Sequence, residues 1–555
     1  MRQLQAANPH VRTSYFVPVA CGIALIVVVA IFACRYPASI WSMTDYELDS
    51  LSGALNFAYR LGDLRFYPAP SMEKHPAVPH YLLSWVGLAL AGFPIASSGL
   101  EFFRSVLDHV ERFHFVMIAL STLAGAIGVT LFMRAASKIA PIGVTAVAVA
   151  LWLVSTPYSI MSLLSLSIDC FGLMLTAAFV TILWRMASER ELEPSTMIFA
   201  GAVGAAAYLT KLSYINIPLG LGAAIGLVFL AGRGVRRRTM LMALLFVYTV
   251  VIIVFVFGLW FIEWSSFTAL LTFHTSVILK GGLYGTGSSG ITSGPSLLTA
   301  IGSIPADRTY AVPIALVAGL ILIGASVATA FLKKEKLPAA VFAMGVGVAS
   351  AFSGFSVLKH YAPHYSAAVS CIVPACVIAA FVMLDAWNIR LRARFSTAAL
   401  VSAALCILAI PAVSTANDLM SAYWRRTLDA EADYKVIARY ISKTPLVGFA
   451  YAAPFREYGE GFLLANIEIP QLTFQYLAEQ SGTISSFTQH LVQRDVGVFI
   501  IDKSRFSTVE AIKTADNFNL LGPTEKYQAT DELIELRTVF VLVRRSATAT
   551  TDGHG

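Results

Sequence analysis

The run VPVACGIALIVVVAIFA, Val17 to Ala33, carries no charged residue, and it is followed by WSMTDYELDSL, Trp41 to Leu51. The first stretch is long enough to cross a bilayer core of about 30 Å as a helix. The second places Asp45, Glu47 and Asp49 on alternate positions at the first exit from the hydrocarbon. Together they pose the question of a membrane protein with acids gathered at its surface.

The rest of the chain answers for the membrane. Its 555 residues are 57% hydrophobic and 13% charged, with a mean hydropathy of +0.70, too little charge to cover a water-soluble domain. The expected class is a polytopic α-helical membrane protein. Apolar blocks at 16–34, 113–133, 142–158, 168–185, 198–210, 214–231, 240–262, 310–331, 338–355, 364–384 and 397–414 predict about 11 spans, with 11–13 allowed by the pattern. The segment Tyr81 to Ala96 is apolar but short and holds Pro94, and it is read as interfacial or re-entrant.

The net charge of +7 sits largely in short loops: Gly232 to Arg238, Lys333 to Lys336 and Arg390 to Arg394. Basic loops mark the cytoplasmic side, so they set the topology, and the high pI needs no nucleic-acid partner. The N-terminus is expected inside as a retained signal anchor, with the C-terminal part outside. The cysteines Cys21, Cys34, Cys170, Cys371, Cys376 and Cys406 lie in or beside apolar runs and form neither a disulfide framework nor a metal pair.

Two domains are expected: residues 1–414 in the membrane and a small soluble α/β domain over 415–555. The latter alternates strand-like runs (LVGFAYAA, VGVFIID, VFVLVRR) with a helical one (EADYKVIARYIS). Within the first, residues 35–112 form an outer loop in which Leu48, Leu51, Leu55 and Ala58 recur at helical spacing, as in a helix lying on the membrane. Residues 263–309 form a second outer loop containing the Gly/Ser-rich run GGLYGTGSSGITSGPS.

Charged groups near membrane depth are costly and mark function. Asp45, Glu47, Lys74, His75, Asp169, Lys211, Lys359 and His360 all map to the outer ends of spans, which predicts one mixed site at that surface. Asp45 could serve as a general base, or with Thr44 could cap a helix. Lys74 and His75 precede an X-Pro step that holds an extended backbone, where a cation suits a lipid phosphate or simply the headgroup region. Lys211 and Lys359 could act likewise or snorkel to water. Asp169 reads first as a helix cap and only second as a functional carboxylate. His274, Lys280, Tyr284 and Tyr361 are further candidates. The His360/His364 spacing is interrupted by Pro363, against a helical zinc pair.

The acidic motif after the first span, the HP step before YLL, the LTK hairpin and the late SVLKHYAPHY stretch resemble the GT-C glycosyltransferases. The layout is similar to bacterial relatives of protein O-mannosyltransferases and to the lipid A aminoarabinose or galacturonic acid transferases over roughly residues 15 to 415. The resemblance implies a GT-C-like fold and transfer of a sugar from a polyprenyl-phosphate donor to a lipid, glycan or protein acceptor. It implies Asp45 and Glu47 as catalytic residues. By the same resemblance Lys74, His75, Lys211 and Lys359 would bind the donor phosphate, and His360 joins them by its place next to Lys359. Apart from the resemblance, the residue pattern alone offers Asp169, His274, Lys280, Tyr284 and Tyr361 as candidate substrate contacts. The chain reads HPAVPHY where that family has HPPLYY, and TDYE lacks an adjacent Asp-Glu pair; a divalent metal is left open and no other cofactor is implied. The expected location is a bacterial inner membrane, among membrane lipids, with a periplasmic active site. The competing expectation is a lipid-linked glycan transporter or flippase, which predicts polar groups along the middles of spans.

Overall fold

The computed structural model describes residues 16–42, 50–58, 77–94, 100–189, 192–231, 236–261, 264–280, 294–389, 397–441, 447–449, 459, 497–503, 506–518 and 524–544. The chain falls into two compact units. Unit one comprises Met1–Ile31, Met72–His80 and Ile118–Asn417; unit two comprises Phe32–Ser71, Tyr81–Met117 and Asp418–Gly555.

Unit one is helical because hydrocarbon offers the backbone no partner, so each spanning segment must satisfy its own N–H and C=O groups. Among the described residues seven helices are long and apolar enough to cross a membrane, or nine if two bent pairs each count as a span. The helices are α1 (Phe16–Arg35), α2 (Val110–Ala136), α3 (Ile142–Val154), α4 (Tyr158–Leu164), α5 (Gly172–Ser188), α6 (Pro194–Thr210), α7 (Asn216–Leu230), α8 (Arg236–Phe261), α9 (Trp264–Leu279), α10 (Gly294–Asp307), α11 (Ala311–Leu332), α12 (Leu337–Lys359), α13 (Ser366–Ser370) and α14 (Val373–Ala386), followed by α15 (Thr397–Ile441). Every expected span falls on one of them. The count of nine differs from eleven because α6 has only 17 residues and the apolar part of α15 lies where side chains are outside the described residues.

Small residues set the closest packing. A Cβ on Gly319 of α11 would lie 2.4 Å from Ala351 N and 2.7 Å from Gly347 O, so α11 and α12 meet backbone to backbone. The two bent spans are joined through hydroxyls. α3 and α4 bend by 75° at Pro157, which has no N–H to continue the helix. Ser159 Oγ takes up Trp152 O at 2.7 Å and Ala311 N takes up Ser155 O at 2.8 Å, so the carbonyls at the break keep partners. Thr156 Oγ1 meets Ser366 Oγ at 2.7 Å, tying this span to the one formed by residues 363–386, which bends by 42°.

Two loop expectations change. The region 263–309 consists largely of α9 and α10, and 281–293 of its Gly/Ser-rich run lie outside the described residues. In unit two, residues 50–58 are helical as expected, but Leu51, Leu55 and Ala58 are buried together with Ser50, Ser52 and Asn56. A helix lying on a membrane keeps a polar face wet; this one is enclosed on every side, because its polar positions are small enough to pack. Leu48 lies outside the described residues. The helix Val78–Leu90 has 13 residues and, at about 1.5 Å per residue, reaches about 20 Å, short of a crossing.

Elsewhere in unit two, Glu111 receives Ile40 N at 3.3 Å, accepts a hydrogen bond from Ser39 Oγ and sits 3.5 Å from His114 Nδ1, holding the chain as it leaves α1. The C-terminal strands β1 (Val447–Phe449), β2 (Val498–Asp502), β3 (Glu532–Glu535) and β4 (Val539–Val543) form one sheet in the order β1-β2-β4-β3, with β1 parallel to β2 and the other pairs antiparallel. Phe499, Ile501, Phe540 and Leu542 pack one face against Ile512 and Phe518. The late part of α15 is fastened to this sheet by Asp433, which accepts from Thr538 N at 2.6 Å, Thr538 Oγ1 at 2.7 Å and Arg537 N at 3.1 Å.

Candidate active site

Two breaks in unit one bring a buried ion pair together. After α4 the chain turns through Leu166, in the left-handed region at φ 49°, into a single 3-10 turn, Ile168–Phe171. Ser167 caps that turn: its Oγ accepts from Asp169 N at 3.3 Å and donates to Asp169 Oδ2 at 3.1 Å. Asp169 is therefore not the cap, as one sequence reading had it, and its carboxylate is free to face inward. On the other side α6 ends at Lys211, whose extended backbone (φ −164°, ψ 145°) leads into the turn Leu212–Ile215.

There Lys211 Nζ meets Asp169 Oδ2 at 2.9 Å, and Tyr214 OH donates to Oδ1 at 3.0 Å. Both charged side chains are only 2% exposed. Lys211 thus points into the protein instead of snorkelling, since its cation finds a carboxylate there. Such a pair costs several kcal/mol of desolvation per ion, and excellent geometry with further hydrogen bonds offsets it. Ser167 and Tyr214 supply those bonds. Gly172 leaves the room: a Cβ would fall 2.4 Å from both Tyr214 OH and Cys371 Sγ. The Tyr365 ring lies 5.6 Å from Lys211 Nζ, and His364 packs edge-on against Tyr365.

Next to this pair is a cavity of about 250 Å³, lined by Leu212, Ser213 and Ile215 from the turn, Phe273 and Val277 from α9, Phe352 and Phe355 from α12, and Tyr365. Its walls are almost wholly apolar, with Lys359 and His360 as the basic members. Lys359 Nζ donates to Val277 O at 2.8 Å and to Ile278 O, and His360 Nε2 donates to Val277 O at 2.8 Å. The Lys359 ammonium at the last carbonyls of α9 complements its dipole. The structure therefore brings Asp169 and Lys211 together, and Lys359 and His360 together, with a shared neighbour in Tyr365.

The remaining expected residues are distributed elsewhere. His274 Nδ1 is 2.9 Å from Tyr208 OH. Tyr361 donates to Asp307 Oδ2 at 2.9 Å and meets Thr309 Oγ1 at 2.6 Å; burial pushes its phenol up to about 12. Lys280 is exposed just beyond α9. Asp45, Glu47, Lys74, His75 and Tyr284 lie outside the described residues. Among the described residues no three His, Cys, Asp or Glu side chains converge as metal ligands. Sequence reasoning missed Ser167 and Tyr214. Tyr214 sits three positions after Lys211, a spacing that shares a face on a 3-10 turn, but only if the turn is already known.

No family model matches the chain, and no curated protein matches it. Two solved structures are similar. ArnT from Cupriavidus metallidurans bound to undecaprenyl phosphate is 14% identical with a TM-score of 0.40, over 93% of this chain and 97% of that one. The apo form of the same protein is 15% identical with a TM-score of 0.41, over 94% and 97%. Along nearly its whole length the chain is similar to ArnT. At this level the likeness gives no residue here a role.

Proposed function

We propose that the protein is an inverting glycosyltransferase that moves a sugar from a polyprenyl-phosphate donor to a hydroxyl on a lipid, glycan or protein acceptor. The observation that carries this reading is the apolar cavity bounded by Lys359 and His360 and adjoining the buried Asp169–Lys211 pair. A polyprenyl phosphate combines a long apolar chain with a compact anion, and the cavity offers walls for the first and the Lys359 ammonium with the His360 N–H for the second. The sequence resemblance supports the same reading.

The chemistry assigned to the residues is economical. Asp45, with Glu47 as second choice, would remove the acceptor proton as the hydroxyl attacks the anomeric carbon from the face opposite the phosphate. The bond to the phosphate oxygen breaks, the configuration inverts, and the departing anion is stabilised by Lys74, His75 and Lys359. Asp169 already matches the Lys211 charge, so this pair holds the Leu212–Ile215 wall of the cavity in place; its role is positioning. Residues 1–414 would carry catalysis, and 415–555 would bind acceptor at the outer face of the inner membrane.

The test is mass spectrometry of envelope lipids and glycans from cells with the protein, without it, and with Asp45→Asn. A glycan or glycolipid lost in both of the latter supports the reading. An envelope unchanged by removing the protein overturns it, and full activity of Asp45→Asn removes Asp45 as the base.

A further inference from the structure

We infer that the end of the bundle formed by α11 and α14 binds the phosphodiester headgroup of an anionic phospholipid at Lys333, beside Trp387. This end carries the Lys333–Lys336 loop, which the charge pattern places toward the cytoplasm, so the site is separate from the one proposed for sugar transfer. Helix α11 stops at Leu332, and Lys333 turns the chain while its N–H bonds Thr329 O at 2.9 Å. The Thr329 hydroxyl accepts from Trp387 Nε1 at 2.8 Å, which fixes the indole against α11. Lys333 Nζ then stands 4.3 Å from the centre of that ring.

A lysine serving only to mark the cytoplasmic side extends into water. Here the ammonium is held over an aromatic face, which favours a cation and removes part of its hydration. Lys334 and Lys336 follow on a turn with no buried residue. The acids nearby in sequence are Glu335 and Asp385, and among the described residues no carboxylate lies within ion-pair distance of the three lysines. Three lysines against these two acids leave this end positive, so the charge balance favours an anion.

A lipid fits better than a free phosphate. Phe331, Leu332 and Ile389 are 68%, 73% and 53% exposed beside the cation, offering apolar surface to acyl chains that inorganic phosphate cannot use. The Trp387 ring, apolar in body with a fixed N–H, suits the boundary between headgroup and chain.

The test is native mass spectrometry of the full-length chain in detergent with equal amounts of phosphatidylglycerol and phosphatidylcholine of matched acyl chains. The wild type is expected to retain phosphatidylglycerol preferentially. Lys333→Gln should weaken that retention about fivefold, the effect of one lysine near an anionic surface, and leave phosphatidylcholine unchanged. Trp387→Leu should weaken it too, and Lys333→Arg should preserve it. Helicity by circular dichroism confirms that each variant folds, and if Trp387→Leu does not, Lys333→Gln decides alone. Equal retention of both lipids by the wild type, or no loss in Lys333→Gln, overturns the inference. Displacement of the lipid by an equal concentration of inorganic phosphate assigns the site to a free anion and overturns it as well.

Discussion

At the scale of single residues, the Asp169–Lys211 pair dominates. Lys211→Met would leave a carboxylate buried with Tyr214 and Ser167 and no cation. The expected cost is about 3–5 kcal/mol, read as a lowered unfolding midpoint in detergent. The double variant Asp169→Asn with Lys211→Met should lose clearly less than the sum of its single changes, because the pair acts as one unit. Additive losses would mean that the two side chains contribute separately.

His80 gives the pH dependence at the same scale. Burial holds its imidazole down to about 4 from an ordinary 6.5. Between those values the unfolded chain binds the extra proton and the folded chain does not, so stability is full above pH 6.5 and falls as the pH drops toward 4. Thermal midpoints measured across that window should decline for the wild type and decline less for His80→Gln. A wild-type midpoint independent of pH there contradicts the buried neutral imidazole.

At the scale of elements, the α11–α12 contact depends on missing side chains. Gly319→Ala forces a methyl to 2.4 Å from Ala351 N, where backbone and not a flexible side-chain tip must move. Overpacking of this kind costs about 1–3 kcal/mol. Gly324→Ala on the same helix meets no atom within 4 Å and should be neutral or slightly stabilising. Comparing their midpoints separates close packing from helix propensity. Element positions were legible from hydropathy, since the backbone's need for internal hydrogen bonds makes every long apolar run a helix. The bends at Pro157 and near Pro374 were not, because a proline permits a break without specifying its angle.

At the scale of the whole molecule, the described strands and the late part of α15 belong to unit two, and Asp433 is the clearest link between them. Asp433→Ala removes the acceptor for Thr538 N, Thr538 Oγ1 and Arg537 N. Leaving these part-buried donors unpaired costs at most about 1–3 kcal/mol each. Hydrogen exchange should rise at Arg537 and Thr538 and through β3 and β4, while α11 and α12 in unit one remain protected. Equal loss of protection in both units would show that the effect is global.

The sequence by itself determined that this is a polytopic helical membrane protein with a small C-terminal sheet, and that its unpaired-looking charges collect at span ends. Those properties follow from local chemistry: run length, hydropathy and the cost of charge in hydrocarbon. Only the tertiary structure decided which charges meet. Asp169 and Lys211 are 42 positions apart, and no spacing rule relates them. Their contact exists because two helix breaks face each other and a glycine leaves space between. The same holds for WSMTDYELDSL: its acids were visible at once, whereas the burial of residues 50–58 came from packing that no periodicity could express.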